Sequence, residues 1–322
     1  MHVLMTGAAG FLGQRLARAL IERNELDGRT LSHLTLVDQM EAPMPADAAC
    51  SVDTRALDIT ADGALDAMLD TRPDVIFHLA AVVSSAAEAD FDLGMRVNFD
   101  ATRALLESCR SRELSATRLI MASSVAVYGG DLPEVLDDLT ALQPQSSYGT
   151  QKAMCELLIN DYSRRGFVDG RVLRLPTIVI RPGRPNAAAS SFASGILREP
   201  LNGETTVCPV PTDLDLFVMS PDRVIESLLH GAEVPGADFG ASRSLMLPGL
   251  TVSVDEMLET LREVAGQEAL DRVSYERDPR IESIVASWPP RFETRKAQQL
   301  GFKGDDNFRD IVDAYLEEAH KA

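Results

Sequence analysis

Cysteine is scarce in this 322-residue chain: Cys50, Cys109, Cys155 and Cys208 lie far apart, and no two form a Cys-x-x-Cys pair. That excludes a zinc knuckle and a disulfide framework; no metal site is expected, and the compartment reads as reducing. Positive charge is also short, with 31 Lys and Arg against 49 Asp and Glu and a formal net charge of −18. A binder of nucleic acid or of an anionic membrane needs a dominant positive field, so neither partner is expected. No apolar run approaches the ~18 residues of a transmembrane helix. The opening Met1-His2-Val3-Leu4-Met5 has no basic stretch and soon meets Gly7, unlike a signal peptide, so a cytoplasmic location is expected. Disorder is not indicated, because 45% of the residues are hydrophobic and the length suffices for one large or two-lobed domain.

What is present is alternation. Short β-like runs at 3–6, 34–38, 55–58, 75–79, 118–123 and 171–175 alternate with helical periodicity, clearest at 11–23, 92–112 and 148–165. The pace is that of βαβ units and predicts an α/β fold: a doubly wound, parallel Rossmann sheet covered on both faces. After about residue 176 the chain becomes punctuated by Pro and Gly, at 181–185 and 208–211, with helices resuming at 221–230 and 254–265. Residues 1–176 therefore read as a dinucleotide-binding domain. Residues 177–322 read mainly as a smaller substrate lobe, some elements of which return to the first domain.

The first strand runs directly into Gly7-Ala8-Ala9-Gly10-Phe11-Leu12-Gly13 and then into a helix. A dinucleotide site needs glycine at those three places, for the tight turn, for backbone contact with a pyrophosphate, and for close packing of helix on strand. The free N–H groups and dipole of the helix N-terminus then favour the phosphates. Asp38 closes the second strand, where a carboxylate accepts from the ribose hydroxyls and repels the 2′-phosphate of NADP, so the cofactor expected is NAD. Asp58 and Ile59 end the third strand, where they could address the adenine; a plain surface turn is the alternative. Leu79, Ala80 and Ala81 follow His78 with small side chains suited to close passage beside the cofactor. His78 reads as a packed, hydrogen-bonded histidine and is assigned no chemistry.

The reacting end rests on two segments. Ser124 stands at the carboxyl end of the fifth strand, the side on which open α/β sheets bind ligands. Tyr148 and Lys152 open the following helix four residues apart, hence on one face. A nearby ammonium lowers the pKa of a phenol, about 10 when free, so that Tyr148 can exchange a proton with a substrate hydroxyl while Ser124 holds the same oxygen. Tyr128 has no lysine four residues on and reads as packing.

Together, Thr6-Gly7-x-x-Gly10-x-x-Gly13, Asp38, His78-Leu79-Ala80-Ala81, Asn98, Ser123-Ser124-x-x-Val127-Tyr128-Gly129 and Tyr148-x-x-x-Lys152 resemble the extended short-chain dehydrogenases, the NAD-dependent epimerase/dehydratase family. The resemblance implies that Tyr148 is the acid/base, Lys152 its ribose-binding partner and Ser124 the substrate-orienting hydroxyl. It further implies that Asn98 supports the site, that Pro176 approaches the nicotinamide carboxamide and that Thr177 faces the substrate.

Departures from the family pattern narrow the reaction. Where the dehydratases carry an Asp-Glu pair after the strand-end hydroxyl, this chain has Val125 and Ala126. Where nucleotide-sugar epimerases carry a diphosphate-binding arginine, residues 213–221 contain none, so a diphosphate is expected to meet carboxylates there. Arg181, Arg184 and Asn186 form instead a short basic loop suited to a carboxylate and a hydroxyl, unless these arginines merely pair with surface acids. This loop and the later Ser287-Trp288-Pro289-Pro290-Arg291-Phe292 resemble a branch of the family that oxidises the C2 hydroxyl of a four-carbon sugar acid. Three readings stand: an NAD-dependent dehydrogenase of a short sugar acid, a nucleotide-sugar epimerase with recycled NAD, and a non-catalytic dinucleotide sensor. A small-molecule substrate and a second copy of the chain, as a homodimer, are the partners expected.

Overall fold

Strands buried on both faces need nearly continuous apolar residues, and Val-Leu-Met and Val-Ile-Phe supply them at the two central positions of the sheet. The computed structural model describes residues 1–44, 47–183 and 188–319. Its main sheet comprises β1 (His2–Thr6), β2 (His33–Asp38), β3 (Ser51–Ala56), β4 (Val75–His78), β5 (Arg118–Ser124), β6 (Asp169–Leu175) and β7 (Ser244–Met246). The order is β7-β6-β5-β4-β1-β2-β3, with every neighbouring pair parallel. The chain winds outward from β1 through β3 and then restarts on the other side of β1. That reversal opens a crevice at the carboxyl edge, where doubly wound sheets take their ligands. Register aligns the edge: Thr6 pairs with both Val37 and His78, and Ser124 with Leu175.

Both faces are covered. Leu16 and Leu20 of helix Phe11–Arg23 and Val224 and Leu228 of helix Pro221–Glu233 pack with Phe77 and Leu173 on one side. Leu105 and, from helix Ser147–Arg164, Ile159 pack with Leu4, Ile76 and Leu119 on the other. The C-terminal region adds a three-stranded sheet in which Asp215–Met219 runs antiparallel to Leu250–Ser253 and parallel to Thr177–Ile178. Its own core gathers Phe192, Ile196, Val218, Met257 and Val312. Helix Pro221–Glu233 and β7 return to the main sheet.

Two local readings are corrected. The third strand spans Ser51–Ala56 rather than 55–58, because an edge strand half open to solvent carries no apolar signal in Ser-Val-Asp-Thr-Arg-Ala. The helical stretch at 91–111 is continuous but contains π-helical turns at Met95–Asp100, which periodicity does not reveal. Among the described residues no helix is long and apolar enough to cross a membrane.

Candidate active site

The glycine loop is built as close backbone contact demands. Gly7 has φ +75°, and a Cβ there would fall 2.6 Å from the Ala80 nitrogen; a Cβ on Gly13 would fall 2.2 Å from the Gly7 carbonyl oxygen. No side chain caps Gly10 at the start of helix Phe11–Arg23, so the first-turn N–H groups are left to a ligand. Gly10, Phe11, Leu12 and Gly13 line one end of a cavity of about 340 Å³. Asp38 Oδ2 accepts from the Ala9 N–H at 3.0 Å, which sets the carboxylate against this loop. A glycine cradle, an uncapped helix terminus and an adjacent carboxylate fit a dinucleotide.

The same cavity reaches Ser124, Tyr148, Lys152, Pro176, Thr177 and Arg181, and Leu79 and Ala81 also border it. What brings Tyr148 to Ser124 is Gly149: a Cβ there would lie 2.0 Å from the Ala126 carbonyl oxygen, so the helix can press onto the turn after β5 only with glycine. Ser146 Oγ caps that helix by accepting from the Gly149 N–H at 3.1 Å. Tyr148 and Ser124 both line this cavity, and Ser124 Oγ accepts from the Ala126 N–H at 3.1 Å. Lys152 is buried and donates from Nζ to the Ala122 carbonyl at 2.9 Å, with Nζ 5.8 Å from the Tyr148 ring centre.

Burial pushes the Tyr148 phenol up to about 12, and the groups that pull it down are Ser124, by hydrogen bonding, and then Arg181, by its charge. Burial also lowers the pKa of Lys152. The other cation in the cavity is Arg181. Its Nη2 is buried without a hydrogen-bond partner among the described residues. Burial first, and then the Arg198 guanidinium, pushes Arg181 down to about 10. Its backbone is fixed: the Arg181 N–H donates to Ser194 Oγ at 3.0 Å, and Arg198 Nη1 donates to the Arg181 carbonyl at 2.7 Å.

Other expected residues stand outside this cavity. Ala80 backs Gly7, with its N–H 3.4 Å from Thr6 Oγ1. Asn98 is buried and saturated: Oδ1 accepts from the Val82 N–H at 2.8 Å, while Nδ2 donates to the Val82 carbonyl at 3.0 Å and to Gln151 Oε1 at 2.7 Å. It thus holds the backbone beside Val83 and Ser84, which do line the cavity. Asp58 is engaged by Thr60, whose N–H and hydroxyl both donate to Oδ1 at 2.8 Å, and Ile59 borders a separate cavity with Arg96. His78 lies between the Thr6 and Thr102 hydroxyls, at 2.8 and 3.0 Å. Arg184 and Asn186 lie outside the described residues. In the segment 213–221, where carboxylates are expected to face a diphosphate, Asp215 Oδ2 has Arg291 Nη2 at 2.5 Å.

A buried network went unread in the sequence. Glu156 Oε1 accepts from Ser123 Oγ at 2.5 Å, and Glu156 Oε2 pairs with Arg174 Nη2 at 2.7 Å. Arg174 also donates to the Tyr128 hydroxyl, which makes Tyr128 a buried anchor. The available signal was helical: Tyr148, Lys152 and Glu156 recur every four residues.

Comparison with known proteins agrees with this geometry. The model of the NAD dependent epimerase/dehydratase family matches residues 3–215. A D-erythronate dehydrogenase of Cupriavidus necator is 53% identical, with 99% of each chain covered. One from Haemophilus influenzae is 47% identical, covering 98% of this chain and 99% of its own. A solved structure described as the nucleoside-diphosphate-sugar epimerase from Agrobacterium tumefaciens superposes with a TM-score of 0.95 at 43% identity, covering 100% of this chain and 95% of that one.

Proposed function

The chain belongs to the NAD dependent epimerase/dehydratase family, and from that membership we propose that it oxidises the C2 hydroxyl of a short sugar acid, D-erythronate, to the 2-keto acid. It is an NAD-dependent oxidoreductase acting on CH–OH groups. The observation that carries the substrate class is the buried Nη2 of Arg181, without a partner among the described residues, in the cavity that holds Tyr148 and Ser124. A guanidinium nitrogen left unpaired in a desolvated place is costly unless substrate supplies an anion, and a carboxylate suits it.

The glycine loop with Phe11 and Leu12 holds the pyrophosphate, Asp38 the adenosine ribose, and Asp58 and Ile59 the adenine side. Leu79, Ala80 and Ala81 border the cofactor, Asn98 stiffens that border through Val82, and Pro176 meets the carboxamide. NAD held there would supply the acceptor for the hydride lost from C2. Ser124 and Tyr148 hold the C2 oxygen, and Tyr148 takes its proton as the carbonyl forms. Lys152 holds the nicotinamide ribose. Arg181 binds the substrate carboxylate, with Thr177 beside the carbon chain; Arg184 and Asn186 complete the basic loop. Residues 1–176 serve the cofactor and 177–322 mainly the substrate. The enzyme works in the cytoplasm as a homodimer.

A second reading, epimerisation of a nucleotide sugar, is favoured by the description of the Agrobacterium tumefaciens structure. One experiment separates the two. Purified enzyme with NAD and D-erythronate should accumulate NADH, followed at 340 nm, whereas an epimerase gives no net absorbance change and interconverts a nucleotide sugar. NADH formation with none of the four- to six-carbon sugar acids, together with epimerisation, overturns the dehydrogenase reading.

A further inference from the structure

The active-site cavity has a neighbour. A second cavity, of about 10 Å³ and so about the size of one water, lies behind Val125, Thr177 and Trp288. All three also line the large one. Beyond them the small cavity is walled by Asp215, Phe217 and Val285. The indole of Trp288, the chain's single tryptophan, is the bulkiest part of the partition.

The partition is held in place. The Trp288 backbone N–H donates to the Val285 carbonyl at 3.1 Å, and the segment that follows exchanges backbone hydrogen bonds with Leu136, from Leu136 N–H to the Arg291 carbonyl at 3.0 Å and from Glu293 N–H to the Leu136 carbonyl at 2.7 Å. Thr251 Oγ1 donates to the Pro290 carbonyl at 2.6 Å. The indole itself packs with the cluster of Tyr128, Phe217 and Phe292. A side chain wedged in this way makes a fixed wall.

Arg181 is tied to helix Ser191–Leu201 through Ser194 and Arg198. An acid whose carboxylate meets Arg181 and whose C2 oxygen meets Tyr148 and Ser124 leaves its remaining carbons to the other walls of the cavity, Val125, Thr177 and Trp288 among them. Resting on the substrate reading above, we propose that Trp288 is a specificity-determining residue that limits the length of the sugar acid by closing the far end of the cavity. A smaller side chain joins the two cavities. Joining them exposes the Asp215 carboxylate, which can accept from the terminal hydroxyls of a longer chain.

The test measures kcat/KM for NAD reduction with four-, five- and six-carbon aldonic acids of one C2 configuration, in wild type, Trp288→Phe and Trp288→Ala. Wild type should prefer the four-carbon acid. In Trp288→Ala the six- to four-carbon ratio should rise about tenfold or more, the scale on which pocket volume discriminates chain length, with a smaller rise in Trp288→Phe and the KM for NAD unchanged. Should the alanine variant fail to fold, the phenylalanine variant decides alone. A ratio unchanged in every folded variant, or a wild type indifferent to length, overturns the ruler while leaving the dehydrogenase reading intact. A wild type that reduces NAD with no sugar acid overturns both.

Discussion

Arg181 stands beside Tyr148 in one cavity, and its charge, after the Ser124 hydrogen bond, is what draws down a phenol that burial has pushed up to about 12. The residue proposed to bind the substrate's carboxylate is thus also an electrostatic influence on the base.

The pH dependence follows from that pairing. Oxidation needs the phenolate, so kcat/KM for the acid should climb with pH through the alkaline range. Removing a cation raises the pKa of a neighbouring acid, so Arg181→Met should displace this limb to higher pH and leave less phenolate at any given pH. A pH–rate profile of the variant that is unmoved, or moved downward, contradicts the coupling.

Arg181→Met should also reduce kcat/KM for the sugar acid by on the order of 10², through lost pairing with the carboxylate, with NAD affinity preserved. Initial rates and cofactor fluorescence titration read the two effects separately. Normal kinetics with the acid would remove Arg181 from the substrate site.

Replacing Tyr148 by Phe deletes one hydroxyl and no packing surface. Turnover should drop by on the order of 10² or more while thermal stability and NAD binding stay near wild type. Retention of more than about a tenth of the activity means that another group carries the proton.

Cofactor choice is assigned to Asp38, which lies against the glycine loop through the Ala9 N–H. The wild type should use NAD far better than NADP, and Asp38→Ser should narrow the gap by lifting the repulsion of a 2′-phosphate. The ratio of kcat/KM for the two cofactors is the measurement, and equal use by the wild type sinks the assignment.

His78 makes a prediction about stability. Burial pushes it down to about 3 from an unfolded value of 6.5. Above pH 6.5 neither state carries the proton, and the full stability is present. As pH falls from 6.5 toward about 3, the unfolded chain takes up a proton that the folded chain refuses, so stability is lost, by roughly 5 kcal/mol at the converted limit. Urea unfolding across this window should give a shallower acid decline in His78→Gln, and identical slopes would indicate that His78 does not titrate on unfolding.

The sequence by itself determined the winding of the sheet and the gathering of Ser124, Tyr148 and Lys152 at one cavity. Periodicity marks the helix at Phe11–Arg23 without error, because an amphipathic helix must repeat its apolar face. Gly7 and Gly13 were legible because backbone contact tolerates no Cβ, and Tyr148 with Lys152 because four residues return a helix to one face. Only the tertiary structure decided what surrounds them. The edge strand Ser51–Ala56 carries no apolar pattern since half of it faces water. The neighbours of Tyr148 come from positions far along the chain, with Arg181 arriving from the loop after the Thr177–Ile178 strand and Trp288 from beyond the last core strands. Likewise the partner of Asp215 is Arg291, 76 residues away. Desolvation and charge act through space, so whether burial or a cation governs a phenol depends on the packed arrangement and not on spacing in the sequence.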